Sequence, residues 1–208
     1  TDGDGVHPGP GNRSQKEGDQ DTVILDPKRE RKPAFSGGLS YPPELLREPH
    51  WYACRTRARA EKAVDRAFEQ AGIESYLPLI WQERQWADRK KKVQLPLLPG
   101  YVFGRFTLEE VARVFRTPGV ATIANPSGYP TPVRQEELDS VRCLVQGVNE
   151  TGVLPSFADF LEPGDEVEVV EGPFRGMRGR LVEVKGRSRV CLKLFPLRQA
   201  MSVELRWS

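Results

Sequence analysis

Histidine and cysteine are scarce, two of the first and three of the second among 208 residues, and the scarcity narrows function at once. His7 and His50 are far apart and neither sits at a spacing that would bind a metal or activate a nucleophile. Cys54, Cys143 and Cys191 are odd in number, widely separated and free of any CxxC or CxxH spacing. They read as reduced thiols of a cytoplasmic protein, not as a disulfide frame or a zinc site. No acid pair and no phosphate-cradling glycine loop stands out, so the chain is read as a non-enzyme with no cofactor and no metal. Long apolar runs are missing too: nothing approaches the roughly 18 residues that span a membrane, and no apolar signal segment opens the chain. Charge of one sign is also lacking, with 31 basic against 29 acidic residues and a net charge of +2. Nucleic-acid binding would have to rest on a local cluster.

The length leaves room for two small domains. Residues 1–49 are rich in Gly, Pro and charge and poor in large apolar groups. Such a segment cannot bury enough surface to offset its ordering entropy, and it reads as a disordered tail. Through Ser40 it holds seven acids and six bases, too even a balance for a nucleic-acid-binding arm. Pro42-Pro43-Glu44-Leu45-Leu46 near its end suits a short helix or docking segment.

Regular structure is expected from residue 50 to 146. Trp51 to Thr56 favours a strand. Ala60, Val64, Ala67, Phe68 and Ala71 recur at helical steps, with Gly72 placed as a terminator. Ile73 to Ile80 reads as a second strand, with Pro78 marking an edge or a bulge. The central stretch is Leu97-Leu98-Pro99-Gly100-Tyr101-Val102-Phe103-Gly104-Arg105-Phe106. Its prolines delay the strand until after Gly100. Tyr101 and Phe103 then share one face, and Val102 and Phe106 take the other. Two readings stay open: a core strand buried on both faces, or a strand whose Leu98, Tyr101 and Phe103 line an apolar groove for a partner. Thr107 to Glu110 has the capping-box arrangement, and a last helix is expected from Gln135 to about Val145. These elements predict an α/β sandwich with a mostly antiparallel sheet flanked by helices.

The charge cluster lies just before the central strand. Residues 81–92 hold five bases against two acids, namely Arg84, Arg89, Lys90, Lys91 and Lys92, interleaved with Trp81 and Trp86. Bases and tryptophans at a hairpin tip suit phosphate attraction with base stacking; a merely solvated loop is the other reading.

Residues 147–161 read as a linker, and the texture then changes to short strands and glycine turns. Val190, Leu192 and Leu194 alternate, as do Met201, Val203 and Leu205. Several short strands within residues 162–208 can bury a common face by curling into a small SH3-like β-barrel. Glycines at 172, 176, 179 and 186 and prolines at 173 and 196 oppose a helical alternative for this module. The fold class is α+β.

In order along the chain, Trp51-Tyr52, Leu98-Pro99-Gly100-Tyr101-Val102-Phe103 and Pro118-Gly119-Val120 resemble the N-terminal module of the NusG family of transcription elongation factors. Gly164-Asp165, Gly172-Pro173-Phe174 and Gly176 with Gly179 are similar to its C-terminal KOW module. The resemblance implies a monomeric transcription elongation factor that modulates pausing, termination or antitermination. It implies an apolar pocket for the clamp helices of RNA polymerase at Leu98, Pro99, Tyr101 and Phe103. It further implies contact with upstream or non-template DNA by Arg55, Arg57 and the Arg84 to Lys92 loop. A second partner, the termination factor Rho or a small-subunit ribosomal protein, would be recruited by the KOW module around Phe174, Arg175 and Met177. The long tail and the Trp-rich basic loop look closer to operon-specific paralogs of the RfaH and UpxY kind. The rival reading is a ribosome- or RNA-associated KOW protein, which would have no need of an apolar groove.

Overall fold

Regular structure begins earlier than the composition suggests, because Tyr41, Leu45 and Leu46 find apolar partners. The computed structural model describes residues 41–86, 89–126, 128–158, 164–184 and 187–204; the tail expected over residues 1–40 lies outside them. Residues 41–49, expected within that tail, hold helix α1 (Pro43–Arg47), which starts on a proline and buries Leu45. It packs beside the turn at Leu108 and the helix that follows.

Strand β1 (His50–Thr56) leads into α2 (Glu61–Gln70). Gly72, at φ 68°, takes the chain off that helix. The N–H of Ile73 donates back to the carbonyl of Phe68 at 2.9 Å and that of Gly72 to Glu69 at 3.0 Å, the paired bonds of a Schellman ending. The expected single strand over 73–80 divides at Pro78 into β2 (Glu74–Tyr76) and β3 (Leu79–Gln85). Strand β4 (Lys90–Pro96) returns along β3, and β5 (Tyr101–Phe106) follows the Pro99-Gly100 turn. The capping box then opens a 3-10 turn, with the N–H of Thr107 donating to Glu110 at 3.0 Å. Helix α3 (Val111–Arg116), β6 (Val120–Ile123) and α4 (Gln135–Thr151) complete this half.

The sheet runs β2-β5-β1-β6 and every pairing in it is antiparallel. Alternation gives it two apolar faces. Tyr52, Cys54, Val102 and Phe106 meet Val64 and Phe68 of α2 and Val114 of α3. Trp51, Ala53 and Phe103 meet Leu138, Val141, Leu144 and Val148 of α4. Gly104 is needed at the first interface, since a Cβ there would lie 3.1 Å from the ring of Phe68.

The stretch expected as a linker is largely structured. Helix α4 continues to Thr151, two turns beyond its expected end, and β7 (Ser156–Ala158) pairs with the last strand. Strands β8 (Asp165–Glu168), β9 (Arg178–Val184), β10 (Arg187–Leu194) and β11 (Gln199–Glu204) form an antiparallel sheet in the order β7-β11-β10-β9-β8. Val190, Leu192, Leu194, Met201 and Val203 are buried together. The module is therefore all-β across the described residues, as the alternating pattern and the helix-opposing glycines and prolines imply, and the expected α+β class holds.

Candidate functional site

The central strand is the first candidate. Gly100, at φ 84°, donates its N–H to the carboxylate of Glu61 at 2.8 Å, and its carbonyl accepts from the N–H of Thr56 at 2.8 Å. Glu61 is itself buried, so α2 and β1 together fix the Pro99-Gly100 turn. On either side of this turn, Leu98 and Phe103 are fully buried. Phe103 stacks on Tyr76 with ring centroids 6.2 Å apart. Of the four residues expected in an open groove, these two are therefore core: α4 is long enough to cover them. Pro99 is exposed and Tyr101 half-buried. Tyr101 lies across from Arg55 in the β1–β5 ladder, and both line a cleft of about 180 Å³ with Asn125 and Arg198.

The second candidate is the β3–β4 ribbon. The basic stretch is mostly ladder, from Leu79 opposite Pro96 to Gln85 opposite Lys90, with Trp86 and Arg89 at its tip. There the N–H of Trp86 donates to the carbonyl of Arg89 at 2.8 Å. Arg84, Arg89, Lys90, Lys91 and Lys92 are exposed. Trp81 and Trp86 are half exposed, at 50% and 52%, an unfavourable state for indole surface that has no partner. The Lys91 ammonium stands 5.5 Å from the Trp86 ring centroid, which holds that ring beside a cation. The base of the ribbon is tied to α4 by Asn149, whose Oδ1 accepts from the N–H of Trp81 at 2.8 Å and whose Nδ2 donates to the carbonyl of Leu79 at 3.3 Å. Arg57 is exposed next to the central sheet, its N–H bonded to Gly119.

The third candidate changes most. Phe174 and Met177 are buried and join the cluster containing Leu144 and Val148. Phe174 lies over Gly147, where an added Cβ would meet its ring and would approach the Pro173 carbonyl to 2.7 Å. The N–H of Arg178 donates to Ser140 Oγ at 3.0 Å, and Arg178 pairs with Glu136 at 3.4 Å. Of the expected partner-binding trio, only Arg175 faces solvent; the other two hold the β-module against α4. Sequence reasoning missed that second face of α4, although Ser140, Cys143 and Gly147 form a small-residue line at helical steps. It also missed Arg198, to which no local signal points.

The titratable groups do not suggest covalent chemistry. Burial pushes the Cys54 thiol far up, and burial with Asp139 nearby raises that of Cys143, so neither is a poised thiolate. The Tyr76 phenol is pushed up to about 12 chiefly by burial, with Arg142 acting against the shift. Among the described residues no cluster of three or more His, Cys, Asp or Glu could hold a metal ion.

Comparison with known proteins identifies the family of the chain. The family model for transcription termination factor NusG matches residues 49–142, and the KOW motif matches residues 163–190. The NusG transcription termination/antitermination protein of Campylobacter jejuni is 31% identical over 155 residues, covering 69% of this chain and 85% of that one. Its namesake in Pasteurella multocida is 32% identical over 130 residues, 59% of this chain and 67% of that protein. Among solved structures, that of Thermotoga maritima NusG is similar over 76% of this chain and 94% of the other, at 24% identity and a TM-score of 0.41. On the identity and coverage of the Campylobacter jejuni and Pasteurella multocida proteins and the order of the two matched modules, the chain belongs to the NusG family.

Proposed function

We propose that this chain, a transcription elongation factor of the NusG family, docks on the clamp helices of RNA polymerase through the Pro99–Tyr101 edge of its central strand. The observation that carries the reading is selective exposure. In a stretch whose other large apolar residues are buried, Pro99 is exposed and Tyr101 half-buried, on a turn fixed by Glu61 and Thr56. The β3–β4 ribbon, with Arg55 and Arg57, faces upstream DNA or the non-template strand, the exposed tryptophans offering stacking surface beside phosphate-seeking bases. The KOW module recruits Rho or a small-subunit ribosomal protein through its solvent side, including Arg175. Activity on particular operons is in keeping with the ribbon's tryptophans.

The test is capture of core RNA polymerase. Tyr101→Ala should weaken binding by about 2 kcal/mol while circular dichroism and thermal midpoint stay near wild type. Undiminished capture by a folded Tyr101→Ala, Pro99→Ser double variant would remove the proposed docking edge.

A further inference from the structure

The cleft beside Tyr101 has a chemistry of its own. It is lined by Arg55 of β1, Thr122 and Asn125 at the end of β6, and Arg198 in the turn between β10 and β11, and no acidic residue lines it. The contrast within the same molecule is plain. The larger cleft, of about 470 Å³ between α4 and the β-module, sets Glu136, Glu137, Glu166 and Glu168 against its arginines. Arg178, Arg180, Arg187 and Arg189 all have partners in carboxylates, a hydroxyl or a carbonyl. Among the described residues, the guanidinium groups of Arg55 and Arg198 have none, and both side chains are exposed. Two unpaired cations brought to one cleft from opposite modules repel each other, and an anion between them reverses that cost. Arg198 also sits at φ 50°, a conformation that glycine would adopt with less strain. Buried Pro196 and Leu197 just before it fix its position.

The volume selects the ligand. A cleft of about 180 Å³ has room for roughly six waters. It falls short of the ~300–1,000 Å³ that enclose drug-sized molecules. A phosphate group fits this space, its oxygens matching the forked donors of arginine, with the Asn125 amide as a further donor. We infer that Arg55 and Arg198 form a phosphate seat spanning the two modules, filled by a nucleic-acid backbone phosphate or by the phosphate of a small phosphorylated ligand. The Arg55 contact shares the nucleic-acid reading above; Arg198 and the joint seat do not depend on it.

Titration of inorganic pyrophosphate into the full chain at low salt tests the seat, alongside a single-stranded oligonucleotide titrated across a salt series. The variants are Arg55→Gln, Arg198→Gln and, as a control, Arg116→Gln on exposed α3. Either arm can support the seat. Pyrophosphate affinity falling about tenfold in both cleft variants, with the control unchanged, identifies a small phosphorylated ligand. A salt slope lowered by roughly one in each cleft variant identifies the nucleic-acid backbone. Arg198→Lys should retain much of the binding. Losses with Arg55→Gln but none with Arg198→Gln overturn the joint seat while leaving Arg55 as a nucleic-acid contact. No change in either arm overturns it outright, whatever the ribbon lysines do in the same oligonucleotide assay.

Discussion

Strand β5 packs a tyrosine and two phenylalanines into six residues, and the β3–β4 ribbon carries two tryptophans among a similar density of large side chains. Both are antiparallel ladders, yet Phe103 and Phe106 are buried and Trp81 and Trp86 are half exposed. The difference lies in the neighbours. Strand β5 is flanked by β1 and β2 and covered by helices on both faces, whereas the ribbon is a two-stranded sheet pinned at its base. Aromatic side chains thus stabilise the first region and are available for contact in the second.

Substitutions in the two regions should separate these roles. The largest effect is expected of Phe103→Ala, which should cost about 3–5 kcal/mol of stability; Trp86→Ala should stay within about 0.5 kcal/mol. Thermal denaturation of both variants checks this, and equal losses would erase the distinction. Next comes Gly147→Ala, which places a methyl group against Phe174 and the Pro173 carbonyl. Overpacking there should cost about 1–3 kcal/mol. In amide NMR spectra the perturbation should centre on residues 173–178 and spare the β1–β5 ladder.

A smaller effect is expected from alkali. Burial raises the phenols of Tyr52 and Tyr76, so the native state holds protons that the unfolded chain releases near pH 10. Stability from these groups is complete below pH 10 and declines as pH rises toward 12. A Tyr52→Phe, Tyr76→Phe variant should show a flatter decline in urea midpoint between pH 9.5 and 11.5, a range set by the ordinary phenol value. Finally, Lys90→Gln, Lys91→Gln and Lys92→Gln together should leave stability within about 0.5 kcal/mol. The same triple variant should lower the salt slope for a single-stranded oligonucleotide by up to roughly 2. A wild-type slope would make the ribbon a solvated projection.

What was legible in the sequence follows the same division. Local signals located β1, α2 and the capping box at Thr107, because each depends on residues within a few positions of one another. Pro78 was legible as an irregularity, an edge or a bulge, but the division into two strands was not. Gly147 concealed the continuation of α4: glycine lowers helix propensity by about 1 kcal/mol, and only the seat it provides for Phe174 explains its place there. The three residues of β7 carry no strong strand pattern and exist by pairing with β11, more than 40 residues away. The Tyr101 edge was half legible. Alternation identified the residues on that face, but which of them α4 would cover depends on helix length and tertiary packing. Arg198 reaches the cleft through long-range folding alone.

Asn149 has a consequence for the protein's behaviour in a crowded solution. The outer edge of β3 presents the Leu79 carbonyl and the Trp81 N–H, one acceptor and one donor at the spacing a foreign strand would need. The Asn149 amide occupies both, standing in for a strand with a single side chain. An exposed ribbon with tryptophans is a template for edge-to-edge aggregation, and here the base of its β3 edge is closed from within the fold. A second copy therefore finds these two backbone groups of the edge already paired.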